Sequence, residues 1–310
     1  MPSAISSTFT ELLLTDRIRI ATRPSPQART QAQFVADAIT SATGVACELV
    51  FVESTGDVRA EVPLHQMAGQ GVFVKEVQRA VLDGRADVAV HSAKDLPTDT
   101  DPGLTVGAWC ARRDARDALV GSTLDALAPG STVATGSVRR RAQLNAARPD
   151  LVFGELRGNI GTRLERVPVG GAIVMAIAAL EILGLTERIT QQLDPTVFVP
   201  MVGQGCVAVE HRFGDGRVRE ALAAIDHAPT RLAVETERSF LSVLGSGCSL
   251  PVGAHVDASG SITTFLATGD PAAGGRITSI VMQADVSDPD NAALVAAELA
   301  RMSRRELAGR

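Results

Sequence analysis

Residues 72–97 read VFVKEVQRAVLDGRADVAVHSAKDLP. Apolar side chains recur at helical spacing from Val72 to the glycine at Gly84, which reads as a helix with a glycine stop. Residues 86–92, ADVAVHS, are then almost continuously apolar and short, as a strand buried on both faces would be. A polar loop follows, with His91, Lys94 and Asp95 within five residues. Helix, buried strand, polar loop is the unit of a layered α/β fold, and such folds place ligands beyond the carboxyl ends of their strands.

The same rhythm runs outward from this stretch. RIRIAT (Arg17–Thr22) reads as a strand, followed by a helix to about Gly44 and a second strand in ACELVFVE. It restarts at STVAT (Ser131–Thr135), with SVRRRAQLNAA as helix and LVFGEL and AIVMAIA as strands, and CVAVEHR (Cys206–Arg212) is a further strand. Apolar strands separated by helices predict largely parallel, buried sheets. From about Ala228 the pattern changes. A long helix, TRLAVETERSFLSVLG, leads into three alternating stretches and a final helix, NAALVAAELARMSRREL, which reads as a small α+β unit. No internal repeat stands out.

The chain of 310 residues has a net charge of −5 and a hydrophobic fraction of 45%, ordinary for a globular protein with real cores. No global basic field points to nucleic acid. The longest apolar run, nine residues from Ala172, is far below the roughly 20 that a membrane span needs. The four cysteines, Cys47, Cys110, Cys206 and Cys248, make no CxxC pair and have no histidines at zinc spacing, so no metal site is expected and a reducing cytoplasm is. The first residues lack a basic n-region and read as a loose tail.

Four polar segments follow strands. In HSAKDLP, Lys94 and Asp95 form either a solvated turn or a cleft group; one of only two lysines in the chain falls here. In TGSVRRR, residues 135–141, a helix opens on Arg139, Arg140 and Arg141. Cations at a helix N-terminus are unfavourable alone and need an anion or exposure to water. In LRGNIGTRL, Arg157 and Arg163 flank a glycine turn, and in RIATRPSPQ, Arg23 and Ser25 lie just beyond the first strand. Arginines at the mouths of two α/β units make a local patch suited to a polycarboxylate. The segment SVLGSGCSLPVGAH puts Cys248 in a small-residue turn, where a thiol gains little from packing.

In this order, RIATRxS, GVFVKE, ADVAVHSAKDLP, TGSVRRRAQL, RGNIGTRL, VGQG and ER-F…GxGCxxPVGA, the chain resembles the porphobilinogen deaminase family from about Arg17 to past Ala254. The resemblance implies three domains: residues 15–112 with 203–225, residues 113–202, and residues 226–310, after a tail at 1–14. The first two would be α/β domains like those of periplasmic binding proteins, with a cleft between them, and the third a small α+β domain carrying the cysteine. It implies a dipyrromethane cofactor joined to Cys248 through a thioether. Onto it four porphobilinogen molecules would be condensed head to tail with loss of ammonia, and hydrolysis would release hydroxymethylbilane for tetrapyrrole (heme) biosynthesis.

The resemblance makes Asp95 the catalytic carboxylate. It assigns Lys94, Asp95, Thr135, Ser137, Arg139, Arg140 and Arg157 to the cofactor, and Arg23, Ser25, Arg157 and Arg163 to substrate. It further implies a monomeric, cytoplasmic transferase with a small-molecule substrate and no nucleic-acid or membrane partner. The chain departs from the family pattern at Gln70, at Gly136, at Ser246, and at Glu181–Ile182, where a Lys-Arg pair is common. A diverged, non-catalytic relative that binds a tetrapyrrole precursor or another polycarboxylate is the alternative.

Overall fold

A computed structural model describes residues 17–53, 74–245, 250–269 and 277–309. Its first sheet holds β1 (Ile18–Thr22), β2 (Cys47–Phe51), β3 (Val88–Ser92), β4 (Leu104–Trp109) and β10 (Val207–Arg212), in the order β2-β1-β3-β10-β4. The second holds β5 (Asp117–Val120), β6 (Thr132–Ala134), β7 (Val152–Gly154), β8 (Ala172–Ala176) and β9 (Gln191–Gln192), in the order β7-β6-β8-β5-β9. The third is an antiparallel meander of β11 (Val252–Val256), β12 (Ser261–Thr268) and β13 (Thr278–Asp285). The protein is thus α/β, with the small α+β unit at the end of the chain.

Local chemistry explains the elements. The helix Pro26–Thr43 starts on Ser25, whose hydroxyl accepts from the Ala28 N–H, has proline in its first turn, and stops at Gly44 with φ 75°. Its buried face, with Val35 and Ile39, packs on Ile18, Ile20, Val88 and Val90 of the sheet. In the third unit, Phe240, Leu244 and Ala296 of the helices Ala228–Leu244 and Ala292–Ala308 share a core with Val252, Ile262 and Leu266.

Two expectations are corrected. The sheets are mixed, not largely parallel: β10 runs antiparallel to β3 and β4, and β5 runs antiparallel to β8 and β9. The strands β4 and β5 were passed over in the sequence. The apolar run at 172–180 is also not one strand: β8 ends at Ala176 and the helix Ile177–Ile182 begins. Every residue from Ala172 to Leu180 is buried, so hydrophobic periodicity carries no mark of the switch.

The mixed topology positions the site. Parallel strands β1, β3, β6, β7 and β8 end at one edge of each sheet, and the antiparallel strands start there: Val207 of β10 is opposite Ser92, and Asp117 of β5 is opposite Ala176. The chain crosses between the sheets through residues 110–116 and 193–206. The two crossings touch, with the Arg113 N–H donating to the Gly205 carbonyl at 3.0 Å. Gly205 has φ 87°, and a Cβ there would stand 2.6 Å from the Arg113 carbonyl oxygen, so only glycine fits.

Glu237, fully buried on the helix Ala228–Leu244, ties this junction to the third sheet. It receives both terminal nitrogens of Arg112, at 2.5 and 3.1 Å, and the N–H groups of Gly203 at 2.8 Å and Val256 at 2.9 Å. Burial alone would raise its pKa. Arg112 and His255 outweigh it, and hold it at about 2.

Candidate active site

The site is built at the facing edges of the first two sheets. After β3 the chain makes a single 3₁₀ turn, Ala93–Asp95, closed by the Leu96 N–H donating to the Ala93 carbonyl. This turn carries Lys94 and Asp95, both half-buried. From the other side, Arg140 comes from the helix Val138–Ala147 after β6, and Arg157 and Arg163 come from the loop after β7 and the helix Ile160–Leu164.

Electrostatics show how closely these groups gather. Desolvation pushes the Lys94 ammonium down to about 8; Arg140 and Arg163 add to the shift, while Asp95 and Asp117 oppose it. Desolvation likewise lowers Arg163 to about 10, with Arg140 and Arg157 adding to it and Asp95 opposing. Cations partly stripped of water, with other cations beside them, make a site that gains from an incoming anion. Between the sheets lies a small recess, open to solvent. Gln27, Gln31, Ser92 and Lys94 line it on one side and Ala179 and Ile182 on the other, with Gln204 at its base.

Arg139 and Arg141 of TGSVRRR are neither solvated nor dependent on an outside anion, and Arg140 is paired inside the fold through its terminal nitrogens while its Nε has no partner among the described residues. Ser137 caps their helix, its hydroxyl accepting from the Arg140 N–H at 3.4 Å. Arg139 is 3% exposed and donates to the Val199 carbonyl at 2.6 Å and to Asp117 Oδ2 at 2.8 Å. Arg140 donates to Asp117 Oδ1 at 2.6 Å and to the Val174 carbonyl at 3.0 Å. Arg141 is held by the Thr135 carbonyl and by Glu155. Asp117 also accepts from Gln204 Nε2 at 2.8 Å. Burial favours its neutral form, yet Arg139, Arg140 and Gln204 together keep it well below the usual carboxylate range. The compensating charge was therefore inside the fold.

The remaining predicted positions are placed as follows. Thr135 is buried, and its hydroxyl accepts from the Ser137 N–H at 3.2 Å. Arg163 donates through Nε to the Gly158 carbonyl at 2.8 Å. Arg23 and Ser25 lie just beyond β1 at the same sheet edge, Ser25 serving as a helix cap. Cys248, Gln70 and the N-terminal tail lie outside the described residues. Sequence reasoning missed Asp117, Gln31 and Gln204. Gln31 stands on the helix Pro26–Thr43, where its amide pairs with Ser92 Oγ at 2.9 Å. Gln204 belongs to a motif already visible, VGQG, but Asp117 carries no local signal.

Fold and site together define a class: an α/β protein with two open sheets around a cleft, whose walls carry guanidinium groups and an ammonium, with one carboxylate on a turn among them. Solved structures with a similar layout include the methionine-binding protein MetQ, at 13% identity over 70% of this chain and 92% of that one, with a TM-score of 0.44. Immunogenic lipoprotein A from Vibrio vulnificus gives 15% over 69% and 96%, with a TM-score of 0.42. An ABC-transporter periplasmic substrate-binding protein from Coxiella burnetii gives 14% over 69% and 94%, with a TM-score of 0.42. A family model described as porphobilinogen deaminase, dipyrromethane cofactor binding domain, matches residues 18–220, and the chain belongs to that family. Among the described residues, no helix is long and apolar enough to cross a membrane.

Proposed function

We propose that the protein is an active hydroxymethylbilane synthase, which condenses four porphobilinogen molecules onto a dipyrromethane primer attached to Cys248 and then hydrolyses the product free. The observation that carries this reading is the meeting of Lys94 and Asp95 from one sheet with Arg140, Arg157 and Arg163 from the other. Each pyrrole of substrate and product bears two carboxylates. The crowded, desolvated cations fit a polycarboxylate of this kind.

The three sheets are then the cores of three domains, with residues 203–225 returning to the first. Lys94, Thr135, Ser137, Arg139, Arg140 and Arg157 would hold the primer. Arg139 and Thr135, already engaged within the fold, would act by orienting their neighbours. Arg23, Ser25, Arg157 and Arg163 would take the carboxylates of incoming substrate. The primer, when bound, supplies the pyrrole carbon on which the chain is extended.

The chain's own residues would do the rest. The cations orient substrate through its carboxylates, by charge-assisted hydrogen bonds. Asp95 accepts the pyrrole N–H and stabilises positive charge as it develops on that ring when ammonia leaves. A monomer working in the reducing cytoplasm completes the reading.

The test is the intact mass of the purified protein beside its Cys248→Ser variant, before and after porphobilinogen is added, with ammonia release followed in parallel. Extra mass equal to two linked pyrroles, present in the wild type and absent from the variant, together with ammonia release, is the expected result. A bare polypeptide mass that does not move with porphobilinogen would sink the reading in favour of a diverged binding protein.

The ammonium of Lys94 predicts a pH dependence. Because its pKa in the folded cleft lies near 8, below the ordinary 10.5, the empty cleft penalises the cation. That penalty is complete below about 8 and fades as pH rises toward 10.5. Substrate carboxylates relieve it, so binding is favoured where Lys94 is charged. The KM for porphobilinogen should rise by about tenfold as pH climbs through this window, the worth of one charge-assisted hydrogen bond. Lys94→Gln should show a high KM with a flat profile; an unchanged wild-type profile in that variant would remove Lys94 from the binding set.

A further inference from the structure

We infer that Arg238, on the helix of the third unit, is a positioning residue that grips the loop carrying Asp95 from outside the cleft. The inference rests on the reading of Asp95 given above. Its guanidinium donates to the Pro97 carbonyl at 2.7 Å, and reaches the carbonyls of Leu96 at 3.3 Å and Thr98 at 3.5 Å. These three acceptors follow directly on the 3₁₀ turn and belong to no strand or helix. Pro97 has no N–H to offer, so beyond the Leu96–Ala93 bond the loop loses one backbone donor. A planar, multi-donor cation is the side chain suited to bind several neighbouring carbonyls at once.

The grip has a fixed base. Arg238 lies over the ring of the fully buried Trp109, 5.7 Å from its centroid. Burial lowers its pKa and Glu210 and Glu235 oppose the shift, but the Glu210 carboxylate is itself held by Gln78 Nε2 at 2.9 Å, with His91 Nε2 3.1 Å away. The guanidinium is thus spent on neutral carbonyls. The preceding residue, Glu237, binds the Gly203 N–H. Gly203, with φ 70°, sits so close to the loop that a Cβ there would stand 3.0 Å from Ala93 Cβ and 3.3 Å from the Lys94 nitrogen. Two adjacent residues of one helix therefore act on the segment 93–98, Arg238 through the carbonyls of residues 96–98 and Glu237 through Gly203, which packs against Ala93. A carboxylate that must meet a developing charge needs its loop held to a fraction of an ångström, and a misplacement of about 1 Å costs roughly 10²-fold in rate.

The experiment compares wild type, Arg238→Gln and Arg238→Lys by amide hydrogen exchange and by steady-state kinetics with porphobilinogen. In Arg238→Gln, amides of residues 93–98 should exchange at least about tenfold faster, while those of β10 keep wild-type protection. Its kcat should fall by roughly 10²-fold, far more than KM rises, and Arg238→Lys should recover part of both effects. Unchanged exchange at 93–98 would overturn the clamp, as would faster exchange with an unchanged kcat. Loss of protection throughout Arg238→Gln leaves the decision to Arg238→Lys, in which a wild-type loop and wild-type kcat would also overturn it. Should the wild type itself release no ammonia, the catalytic reading falls, and the positioning role falls with it; the exchange data then report only whether the contact exists.

Discussion

An Asp95→Ala protein should fold with close to wild-type stability and turn over porphobilinogen about 10²–10³-fold more slowly, the scale of losing one preorganised electrostatic group. The two halves of this expectation have separate causes. The turn that bears Asp95 is held by its own backbone bond from Leu96 to Ala93, by Arg238, and by the packing of Gly203. Its carboxylate, by contrast, is the acidic group placed with Lys94 and Arg163 at the mouth of the cleft. Removing it takes a negative charge from among cations, so binding of anionic substrate should not weaken and KM should hold or fall. Asp95→Glu keeps the charge but moves it by one methylene and should lose about 10²-fold. Full turnover in Asp95→Ala, measured as ammonia release, would end the assignment.

Asp117→Ala should cost about 3–5 kcal/mol of folding stability, the range for breaking a buried ion pair from one side. Asp117 is 1% exposed and takes a hydrogen bond from each of Arg139, Arg140 and Gln204. Without it, Arg139 stays buried at 3% exposure with an uncompensated charge. The pH behaviour follows from the depressed pKa. The contribution of Asp117 is present above the ordinary aspartate value of 3.8 and is lost as pH falls below it toward the folded-state value. Urea unfolding of wild type and variant at neutral pH and in acid checks both statements: the gap should be full at neutral pH and should narrow in acid. A difference under about 1 kcal/mol at neutral pH would show that the arginines find other partners.

The two residues illustrate how legibility differs. Asp95 stands in a polar loop directly after a buried strand, so its exposure at a strand end could be read from residues 86–97 alone. Asp117 closes the charged loop RRDARD (residues 112–117), where nothing separates it from Asp114 as the buried carboxylate, and its partners lie 22 and 23 residues away at Arg139 and Arg140. The arginine run in TGSVRRR called for an anion or for water; it could not show that the anion was already present inside the fold. The apolar stretch at 172–180 hid a strand-to-helix change because both elements are buried. The two five-stranded sheets share one layout, three parallel strands followed by an antiparallel insertion, although no sequence repeat betrays it.

By itself the sequence determined most local units: the helix that stops at Gly44, most of the buried strands, the small α+β unit at the end, and the cations and carboxylate at strand ends. Periodicity, capping and glycine stops act within a few residues, and a chain read in order displays them. Only the tertiary structure decided which strands run antiparallel, that Asp117 neutralises Arg139 and Arg140, and that Glu237 and Arg238 reach Arg112 and Pro97 across 125 and 141 residues. Hydrophobic pattern reports that a face is buried without saying against what. Strand pairing and ion pairing are satisfied by whichever partner the closed fold brings near, and that choice leaves no mark on neighbouring residues.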